Sequence, residues 1–375
     1  MKIAYVYDVI YPYVIGGAEK RVWEISKRLA KNGHEVHIFG MKYWDGGAVL
    51  MKEGVYLHGV GKPKELYVDG RRSIHFAISF ATKLLPSLIK EDYDIIDSQE
   101  FSYLPCFSAK ICSSVKRVPL IITWYEVWDD YWYEYLGKLG IFGKVIEKMT
   151  TYLTSDMIAI SERTKRDLEQ IGVKNEIKII PNGIDFEQIE RVKASEKESD
   201  VIFAGRLIKE KNVDVLIAAV KLIKKDVPAV KSIIIGDGPE KRKLEQLVCD
   251  LGLENNIEFT GFLNDHDDVI SYMKSSKVLL LPSTREGFGI VALEANACGL
   301  PAITVDHKMN ATCDFINNDR NGFICELSEY DVAAKILMGL EKGKGMEKKC
   351  IESAMGYDWA RISKLTESIY EEVIT

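Results

Sequence analysis

Short apolar runs and longer amphipathic runs alternate along almost the whole chain. Strands are predicted where β-branched and aliphatic residues cluster, at residues 3–7, 35–39, 94–97, 120–123, 157–160, 177–180, 201–204, 232–235, 257–260, 278–281 and 302–305. Helices are predicted where apolar residues recur at helical spacing, for example at residues 18–31, 213–225, 241–251 and 269–275. Alternating strands and helices predict an α/β fold with parallel sheets and right-handed crossovers.

The alternating pattern starts again near residue 201, after a turn cluster and a charged stretch. The cluster is Pro181-Asn182-Gly183-Ile184-Asp185, and residues 187–200 carry many charges and few apolar side chains. A chain of 375 residues is also too long for one ordinary core. We therefore predict two doubly wound, Rossmann-like domains, residues 1–185 and 186–356, facing each other across a ligand cleft. A final amphipathic helix within residues 357–375 is predicted to pack back on the first domain.

The composition is that of an ordinary globular protein, with 47% hydrophobic and 28% charged residues. The net charge of −6 gives no global reason to bind nucleic acid, so no nucleic-acid partner is expected. The seven scattered cysteines form no Cys-x-x-Cys pair, which favours small buried side chains over disulfides or a zinc site. Asp8 interrupts the first apolar run too early for a signal peptide, and no apolar stretch approaches the roughly 20 residues of a spanning helix. A cytoplasmic protein is expected.

The most specific local feature is the segment from Glu286 to Glu294. The turn Glu-Gly-Phe-Gly at residues 286–289 follows a predicted strand and opens a helical run. Open α/β sheets bind ligands at this kind of position, beside the free N–H groups of a helix start. Glu294 falls about one turn inside the helix among apolar neighbours, so its carboxylate needs a partner. The alternative is that Glu286 interacts only with the helix dipole and that Glu294 extends its carboxylate to solvent.

Three more strand ends carry polar or glycine-rich turns. Gly205-Arg206-Leu207 with Lys211-Asn212 offers a guanidinium fork and a lysine charge, which suit a diphosphate leaving group, although a solvated loop is the alternative. The next two strands end in Gly236-Asp237-Gly238-Pro239 and Gly261-Phe262. The Asp-x-Asp pattern at residues 265–267 has a metal-binding interpretation, but helix capping is favoured.

Together these motifs, in this order, resemble the family 4 glycosyltransferases of the two-domain GT-B architecture. The resemblance covers nearly the whole chain and includes Gly16-Gly17-Ala18-Glu19 after the first strand and the turn at residues 181–185. It implies transfer of a sugar from a nucleotide-diphosphate donor, such as a UDP- or GDP-sugar, to a hydroxyl acceptor, with retention of anomeric configuration. A glycan, a lipid-linked molecule or a small molecule would be the acceptor, with cell-surface polysaccharide biosynthesis as the expected setting. No metal or other cofactor is expected, because fixed cations would stabilise the leaving diphosphate.

The resemblance also implies a role for each matching residue. Arg206 and Lys211 would hold the diphosphate, Glu286 would contact the donor sugar as the third catalytic residue, and Glu294 would bind the ribose. Backbone amides around Phe288 would face the phosphates and the sugar, and the Gly16-Gly17 loop would approach the donor from the first domain. The full set of further donor-binding residues is Gly16, Gly17, Gly205, Gly236, Phe262, Gly287, Phe288, Gly289 and Ile290.

The first domain departs from the family pattern on its acceptor side. Family members usually carry a histidine two residues after the threonine that ends a first-domain strand, and here Tyr125 stands at that position. We predict Trp124, Tyr125 and Glu126 as residues of the acceptor or sugar side, with Tyr125 or Glu126 taking over the hydrogen bond. Residues 124–135 contain seven aromatics, and the alternative, favoured for the tryptophans, is that they pack one helix onto the domain. Similarly, residues 97–100 replace a strand end that is commonly rich in histidine.

Residues 138–154 form a basic amphipathic segment with two interpretations. Such a helix can lie on an anionic membrane surface, which would suit a lipid-linked acceptor and peripheral membrane contact on the cytoplasmic face. Packing of its apolar side on a sheet is the favoured alternative.

Other activities of the same architecture remain as alternatives to glycosyl transfer. A nucleotide-sugar epimerase and a phosphorylase share the fold, and a non-catalytic nucleotide-sugar-binding protein is a further alternative. The joint presence of Arg206, Lys211, Glu286 and Glu294 argues against loss of catalysis. An NAD-dependent enzyme is disfavoured, because no Gly-x-Gly-x-x-Gly follows a predicted strand.

Overall fold

The computed structural model describes residues 1–68 and 71–375, and the chain forms two compact units. The first unit contains Met1–Asn182 together with Trp359–Thr375, and the second contains Gly183–Asp358. The sequence placed the boundary after Asp185, and the structure divides the chain after Asn182, within the same turn cluster.

An eight-stranded sheet with the strand order β10-β9-β8-β7-β1-β2-β4-β3 forms the centre of the first unit. Its strands, with the short antiparallel pair β5–β6, are β1 (Lys2–Val6), β2 (Glu35–Gly40), β3 (Val49–Lys52), β4 (Val55–Gly59), β5 (Tyr67–Val68), β6 (Arg71–Arg72), β7 (Ile95–Gln99), β8 (Leu120–Trp124), β9 (Asp156–Ala159) and β10 (Ile177–Ile179). The helices are α1 (Gly17–Lys31), α2 (Ile74–Leu88), α3 (Leu104–Lys116), α4 (Tyr131–Leu136), α5 (Gly140–Thr150) and α6 (Glu162–Gln170). All pairs in the large sheet are parallel except that of the edge strand β3 with β4.

The second unit has a six-stranded, wholly parallel sheet with the order β13-β12-β11-β14-β16-β18. Its strands, with the short pair β15–β17, are β11 (Ser199–Ala204), β12 (Ser232–Ile235), β13 (Ile257–Gly261), β14 (Ser276–Leu281), β15 (Arg285–Glu286), β16 (Ala302–Val305), β17 (Met309–Asn310) and β18 (Gly322–Cys325). The helices are α7 (Phe186–Arg191), α8 (Val213–Ile223), α9 (Lys241–Asp250), α10 (His266–Lys274), α11 (Ile290–Ala297), α12 (Glu329–Lys342) and α13 (Glu347–Ala354). The predicted doubly wound α/β class is confirmed for both units.

Helix packing on both faces of each sheet explains why the strand sequences are continuous apolar runs. Helices from crossover connections cover a parallel sheet on both sides, so inward and outward positions are both buried. In β14, for example, the four residues from Val278 to Leu281 are all buried. A helix that packs on one side only buries a single stripe, as α9 does with Leu244 and Val248.

The last helix, α14 (Trp359–Ile374), belongs to the core of the first unit. The Tyr370 hydroxyl donates a hydrogen bond to the buried Asp97 carboxylate (2.5 Å) and lies 2.8 Å from the Tyr5 hydroxyl. Asp97 also accepts from Thr123 Oγ1 and Gln99 Nε2, both at 2.9 Å. Burial raises the pKa of Asp97, and the hydrogen bonds, that of Tyr370 foremost, oppose this rise. The helix is thus fixed to β1 and β7 by a polar network inside an apolar layer.

Substituting Tyr370→Phe should destabilise the first unit, because the buried Asp97 carboxylate loses a donor while the ring volume is kept. We expect a loss of about 1–3 kcal/mol in the free energy of unfolding, measured by thermal and urea denaturation. Tyr330→Phe is the matched control, since the Tyr330 side chain is 70% exposed. Equal stability of both variants would show that the contact with Asp97 contributes nothing.

Candidate active site

The strand order of the second unit points to one edge of its sheet. β11 lies between β12 and β14, so the connections leave it in opposite directions along the sheet. Open α/β sheets bind ligands beyond the carboxyl ends of their strands at such a switch point. The loops that follow β11 and β14 are residues 205–212 and 282–289, which contain the predicted catalytic residues. The topology therefore brings the strongest sequence candidates to one place.

Lys211 and Glu286 are in direct contact at this edge. Lys211 Nζ donates a charge-assisted hydrogen bond to Glu286 Oε1, and each side chain is 15% exposed. Glu286 belongs to β15, which is held in register by β17. Asn212 joins the two loops, because its Nδ2 donates to the Pro282 carbonyl at 2.9 Å. The pair therefore sits on a fixed backbone.

Arg206 is exposed, directly after β11. Within residues 1–68 and 71–375, its guanidinium takes part in no hydrogen bond or ion pair. The fork of donors is therefore available to an anion beside the Lys211–Glu286 pair. A diphosphate at this position would meet one cation already paired and one that is not.

Two glycines at this edge have conformations or contacts that a side chain would disturb. Gly236 has φ +139°, and a Cβ there would lie 1.9 Å from the carbonyl oxygen of Gly205. Gly289 has φ +82°, and a Cβ would lie 2.1 Å from Thr312 Oγ1. Glycine at both positions lets the loops pack closely and leaves backbone N–H groups uncovered at the start of α11.

The buried carboxylate of Glu294 has a partner that the sequence did not reveal. His266 Nε2 lies 2.8 Å from Glu294 Oε1, and only 3% of Glu294 is exposed. His266 is the first residue of α10, where the Asp265 side chain accepts from the N–H of Asp267, so the capping interpretation of this acidic stretch is confirmed. The sequence signal for His266 was weak, since it lay within what was interpreted as a cap.

The two predicted phenylalanines have different surroundings. Phe262 follows β13 and is 56% exposed. Phe288 is buried and packs against Phe315 and Tyr357, with ring centroids 5.7 and 5.9 Å apart. Its ring therefore holds the turn in place, and only its backbone can face a ligand. Its neighbours in the turn are Gly287, which is partly exposed, and Ile290, which begins α11.

Two of the predicted donor-binding residues, Gly16 and Gly17, belong to the first unit. Gly16 is the N-cap residue of α1 and Gly17 is its first residue. Gly205 and Gly236 lie in the second unit, where the N–H of Gly205 donates to Ile235 O at 3.0 Å and that of Gly236 to Gly261 O at 2.9 Å. The structure thus places the other predicted donor-binding residues together in the second unit.

The first unit has its own switch point, with β1 between β2 and β7, and polar residues gather there. Asp8 follows β1, and its carboxylate accepts from Arg72 Nη2 (2.6 Å) and from Ser102 Oγ (3.1 Å). Tyr125 Oη donates to Gln99 Oε1 (2.6 Å) at the end of β7. In the sequence, Asp8 indicates only that the first apolar run is too short for a signal peptide, and no motif points to Arg72, which comes from the short strand β6.

The prediction of Trp124 as an acceptor residue is wrong. Its side chain is fully buried in the core of the first unit and packs against the ring of Tyr103. Trp128 and Trp132 pack against each other with centroids 4.6 Å apart, as the packing alternative expected. The aromatic segment is therefore mostly core. Tyr125 and Glu126, which follow Trp124, are half-buried and remain candidates.

Glu100 directly follows Gln99, the hydrogen-bond partner of Tyr125, and is almost completely buried. Its Oε2 has no hydrogen-bond partner within the described part of the chain. Burial first, and then the Glu126 carboxylate, raise the pKa of Glu100 well above its usual range. A proton on this carboxyl would make it a hydrogen-bond donor at the carboxyl edge of the sheet in the first unit.

The buried Glu100 carboxyl should make stability depend on pH. Because its pKa is higher in the folded than in the unfolded state, its contribution is fully present below its ordinary pKa and is lost as the pH rises through the folded value. Glu100→Gln removes this loss. We expect the variant to be more stable than the wild type above about pH 7 and to match it near pH 4, measured as melting temperatures across pH.

Glu147→Gln is the matched control for Glu100→Gln. Burial also raises the pKa of Glu147, but its oxygens accept from the N–H groups of Trp128 and Asp129, both at 2.8 Å. An amide would face one of these N–H groups with its own NH₂, so this variant should be less stable at neutral pH. If both variants changed stability alike, the unpartnered oxygen of Glu100 would not be the cause.

Comparisons with known proteins identify the family and the fold. The family profile described as "Glycosyl transferases group 1" matches residues 185–356, and "Glycosyltransferase Family 4" matches residues 15–188. An uncharacterized glycosyltransferase of Methanocaldococcus jannaschii is 25% identical over 401 residues, covering 99% of this chain and 98% of the relative. The alpha-monoglucosyldiacylglycerol synthase of Streptococcus pneumoniae is 26% identical over 365 residues, covering 91% and 78%.

Solved structures show the same fold over the whole chain. Sucrose-phosphate synthase from Thermosynechococcus elongatus superposes with a TM-score of 0.85 at 19% identity, covering 99% of this chain and 98% of the other. Anabaena Alr3699/HepE in complex with UDP-glucose has a TM-score of 0.75 at 20% identity, covering 99% and 100%. The two profiles together span residues 15–356. The chain belongs to the family 4 glycosyltransferases and is a transferase with the GT-B fold.

Proposed function

We propose that this glycosyltransferase takes its sugar from a UDP-sugar bound by the second unit and transfers it, with retention of configuration, to a hydroxyl acceptor. The observation that carries the proposal is the contact between Lys211 and Glu286 at the switch point of the sheet, where Arg206 follows β11 and its guanidinium is unpaired among the described residues. UDP is favoured over GDP because Anabaena Alr3699/HepE, which has the same fold, is described in complexes with UDP and with UDP-glucose.

The cations are suited to stabilise the leaving diphosphate. Breaking the bond between sugar and phosphate adds negative charge to the diphosphate, so groups that bind the charged product better than the substrate lower the barrier. Arg206 offers a planar fork of donors and Lys211 a compact charge. Backbone N–H groups at the start of α11 add partial positive charge from the same side. These groups would supply the charge stabilisation without a metal ion.

Glu286 is better placed for the sugar than for the phosphates. A carboxylate repels a diphosphate but accepts readily from hydroxyl groups. Its hydrogen bond with Lys211 offsets part of its charge and fixes its direction. We propose that Lys211 contacts both Glu286 and the diphosphate when the donor is bound, and that Glu286 accepts from hydroxyls of the sugar.

Glu294 and His266 together fit a ribose. The Glu294 carboxylate is buried in α11, where a hydroxyl pair could be bound by its oxygens. His266 already holds Oε1 at 2.8 Å, which fixes the rotamer before a ligand arrives. The exposed Phe262, which follows β13 just before α10, offers a flat apolar surface that suits a base.

For the acceptor we propose the polar edge of the first unit. Tyr125 is held by Gln99, and Glu100 and Glu126 lie nearby. The ion pair of Asp8 and Arg72 completes this edge. Carboxyls and hydroxyls of this kind match the hydroxyl groups of a glycan or glycolipid, which agrees with a setting in cell-surface polysaccharide biosynthesis.

We further propose that the acceptor is linked to lipid and that α5 and its flanks contact an anionic membrane from the cytoplasmic face. Six large apolar side chains are exposed on this surface: Leu139, Ile141, Phe142, Val145, Met149 and Tyr152. Lys138 and Lys148 lie among them and complement anionic lipid, whereas the Lys144 ammonium is already paired with Asp129 (2.8 Å) and Asp130 (2.6 Å). Two relatives are named for lipid substrates or products, the synthase of Streptococcus pneumoniae and the phosphatidylinositol N-acetylglucosaminyltransferase gpi3 subunit of Schizosaccharomyces pombe. In residues 1–68 and 71–375, no helix has both the length and the apolarity to cross a bilayer.

Replacing Arg206 should reduce transfer much more than stability. Arg206→Ala should lower kcat with a UDP-sugar by about 10²–10³-fold, because one donor to the developing charge is lost. The control is Lys209→Ala, since Lys209 is an exposed cation three residues away in the same loop and should leave kcat nearly unchanged. Melting temperatures should be nearly equal for both variants.

Product analysis distinguishes the rival activities in the same assay. A glycosyltransferase forms product only with a hydroxyl acceptor, an epimerase alters the sugar without one, and a phosphorylase requires phosphate. Unchanged turnover in Arg206→Ala would contradict the proposed role of the second unit. If no UDP-sugar were turned over but a GDP-sugar were, the proposed base would be wrong and the proposed site would stand.

The membrane proposal predicts that Phe142→Asp weakens vesicle binding by about 10-fold or more, since burial of a phenylalanine contributes roughly 1.5–3 kcal/mol. Cosedimentation with phosphatidylglycerol vesicles and with phosphatidylcholine vesicles measures this, and the anionic vesicles should bind more protein. Phe142 is 71% exposed, and Tyr330→Asp, at a residue 70% exposed in the second unit, is the control. Equal binding by both variants would contradict contact through α5.

A further inference from the structure

A group of metal-ligating side chains lies in the first unit, outside the candidate sites described above. His37 is on β2, His58 is on the neighbouring strand β4, and Glu91 precedes β7. One ligand atom from each of the three lies within 4.8 Å of those of the other two. Lys2 and Glu35, at the first residues of β1 and β2, are next to them. Of the candidate acceptor residues, Asp8 follows the opposite end of β1 and Glu100 that of β7.

The two imidazoles face each other in a way that suits a shared ion. His37 Nδ1 and His58 Nε2 are 2.7 Å apart and hydrogen-bonded to each other, so an ion that binds both nitrogens must displace the shared proton. The other nitrogen of His37 is hydrogen-bonded to Glu35 Oε1 at 2.9 Å. A carboxylate on the far nitrogen is the usual support of a metal-binding histidine, because it fixes the tautomer and the ring orientation.

Neighbouring aromatic rings hold both imidazoles in place. The His37 ring stacks on Tyr56 (4.9 Å between centroids) and meets the edge of Tyr93 (5.5 Å). The His58 ring stacks on Phe39 at 4.3 Å. Little side-chain freedom would therefore be lost on binding an ion. Glu91, whose side chain is 41% exposed, provides access from solvent.

We propose that His37, His58 and Glu91 bind one divalent transition-metal ion of the zinc type, which joins β2, β4 and the start of β7. Two imidazoles and a carboxylate form a common zinc set that leaves a fourth position for water. Tetrahedral bonds of about 2.0–2.1 Å separate ligand atoms by about 3.3 Å, so the two nitrogens need to move apart only slightly. The site takes no part in the proposed sugar-transfer chemistry.

Lys2 occupies the carboxylate that the metal ion would need. Its ammonium lies 2.6 Å from Glu91 and 2.8 Å from Glu35, so it competes with a metal ion for the Glu91 carboxylate. Lys2→Gln should free Glu91 and tighten metal binding. A cluster held together only by its own hydrogen bonds and ion pairs would show no gain in metal affinity from this substitution.

The test measures binding of Zn²⁺ alone by calorimetry and of Co²⁺ by its visible absorption, in the full chain carrying Cys249→Ser. That background removes the exposed thiol, which would otherwise bind metal. We expect one Zn²⁺ per chain, a higher melting temperature that EDTA reverses, and the intense bands of tetrahedral Co²⁺. Glu35→Gln should weaken binding by about 10–100-fold, as for other residues that support a ligand.

Matched variants decide whether Glu91 is a ligand. Glu91→Gln should weaken Zn²⁺ binding by more than about 10-fold. Asp92→Asn, at the adjacent and 88% exposed carboxylate, should leave it unchanged. The proposal is overturned if Zn²⁺ does not bind, if Glu91→Gln and Asp92→Asn behave alike, or if Lys2→Gln does not tighten binding. His58→Asn serves as a second ligand variant and should abolish the Co²⁺ bands.

Discussion

The close packing of the loops beyond β11, β12 and β13 is the constraint on which the donor site depends. Backbone hydrogen bonds continue past the strands, from the N–H of Leu207 to Asp237 O and from that of Gly236 to Gly261 O, both at 2.9 Å. A side chain at position 236 would collide with the Gly205 carbonyl, so the two loops can lie this close only because residue 236 is a glycine. Arg206 therefore projects from a backbone that is fixed on both sides. The Arg206 side chain is exposed because it lies at the edge of the sheet, and flexibility of the loop is not needed to explain this.

Sequence patterns predicted the central strands well because helices cover them on both faces. The run at residues 278–281 is apolar at every position, and the structure buries all four. The edge strand β3 and its neighbour β4 were missed, since β3 has exposed side chains at Val49 and Met51 and shows no continuous run. An edge strand resembles a loop in sequence because only part of it is buried.

The sequence could not predict which residues far apart in the chain contact each other in these sites. Glu294 clearly needed a partner, but His266 lies 28 positions away, and helix spacing gives no signal over that distance. Arg72 reaches Asp8 across 64 positions for the same reason. Trp124 was assigned to the wrong surroundings because the last residue of a strand can face either the core or a ligand, and composition does not distinguish the two.

Lys211 and Arg206 would lose different amounts of side-chain freedom on binding the diphosphate. Lys211 is already fixed by Glu286, so binding a diphosphate requires little further loss of side-chain freedom. Its charge, however, is already shared with a carboxylate, which limits its attraction for the bound donor. Arg206 must lose rotamer freedom, but its whole charge is available, and it gains most as negative charge develops on the leaving group. Lys211 is therefore suited mainly to place the donor, and Arg206 mainly to favour the transition state.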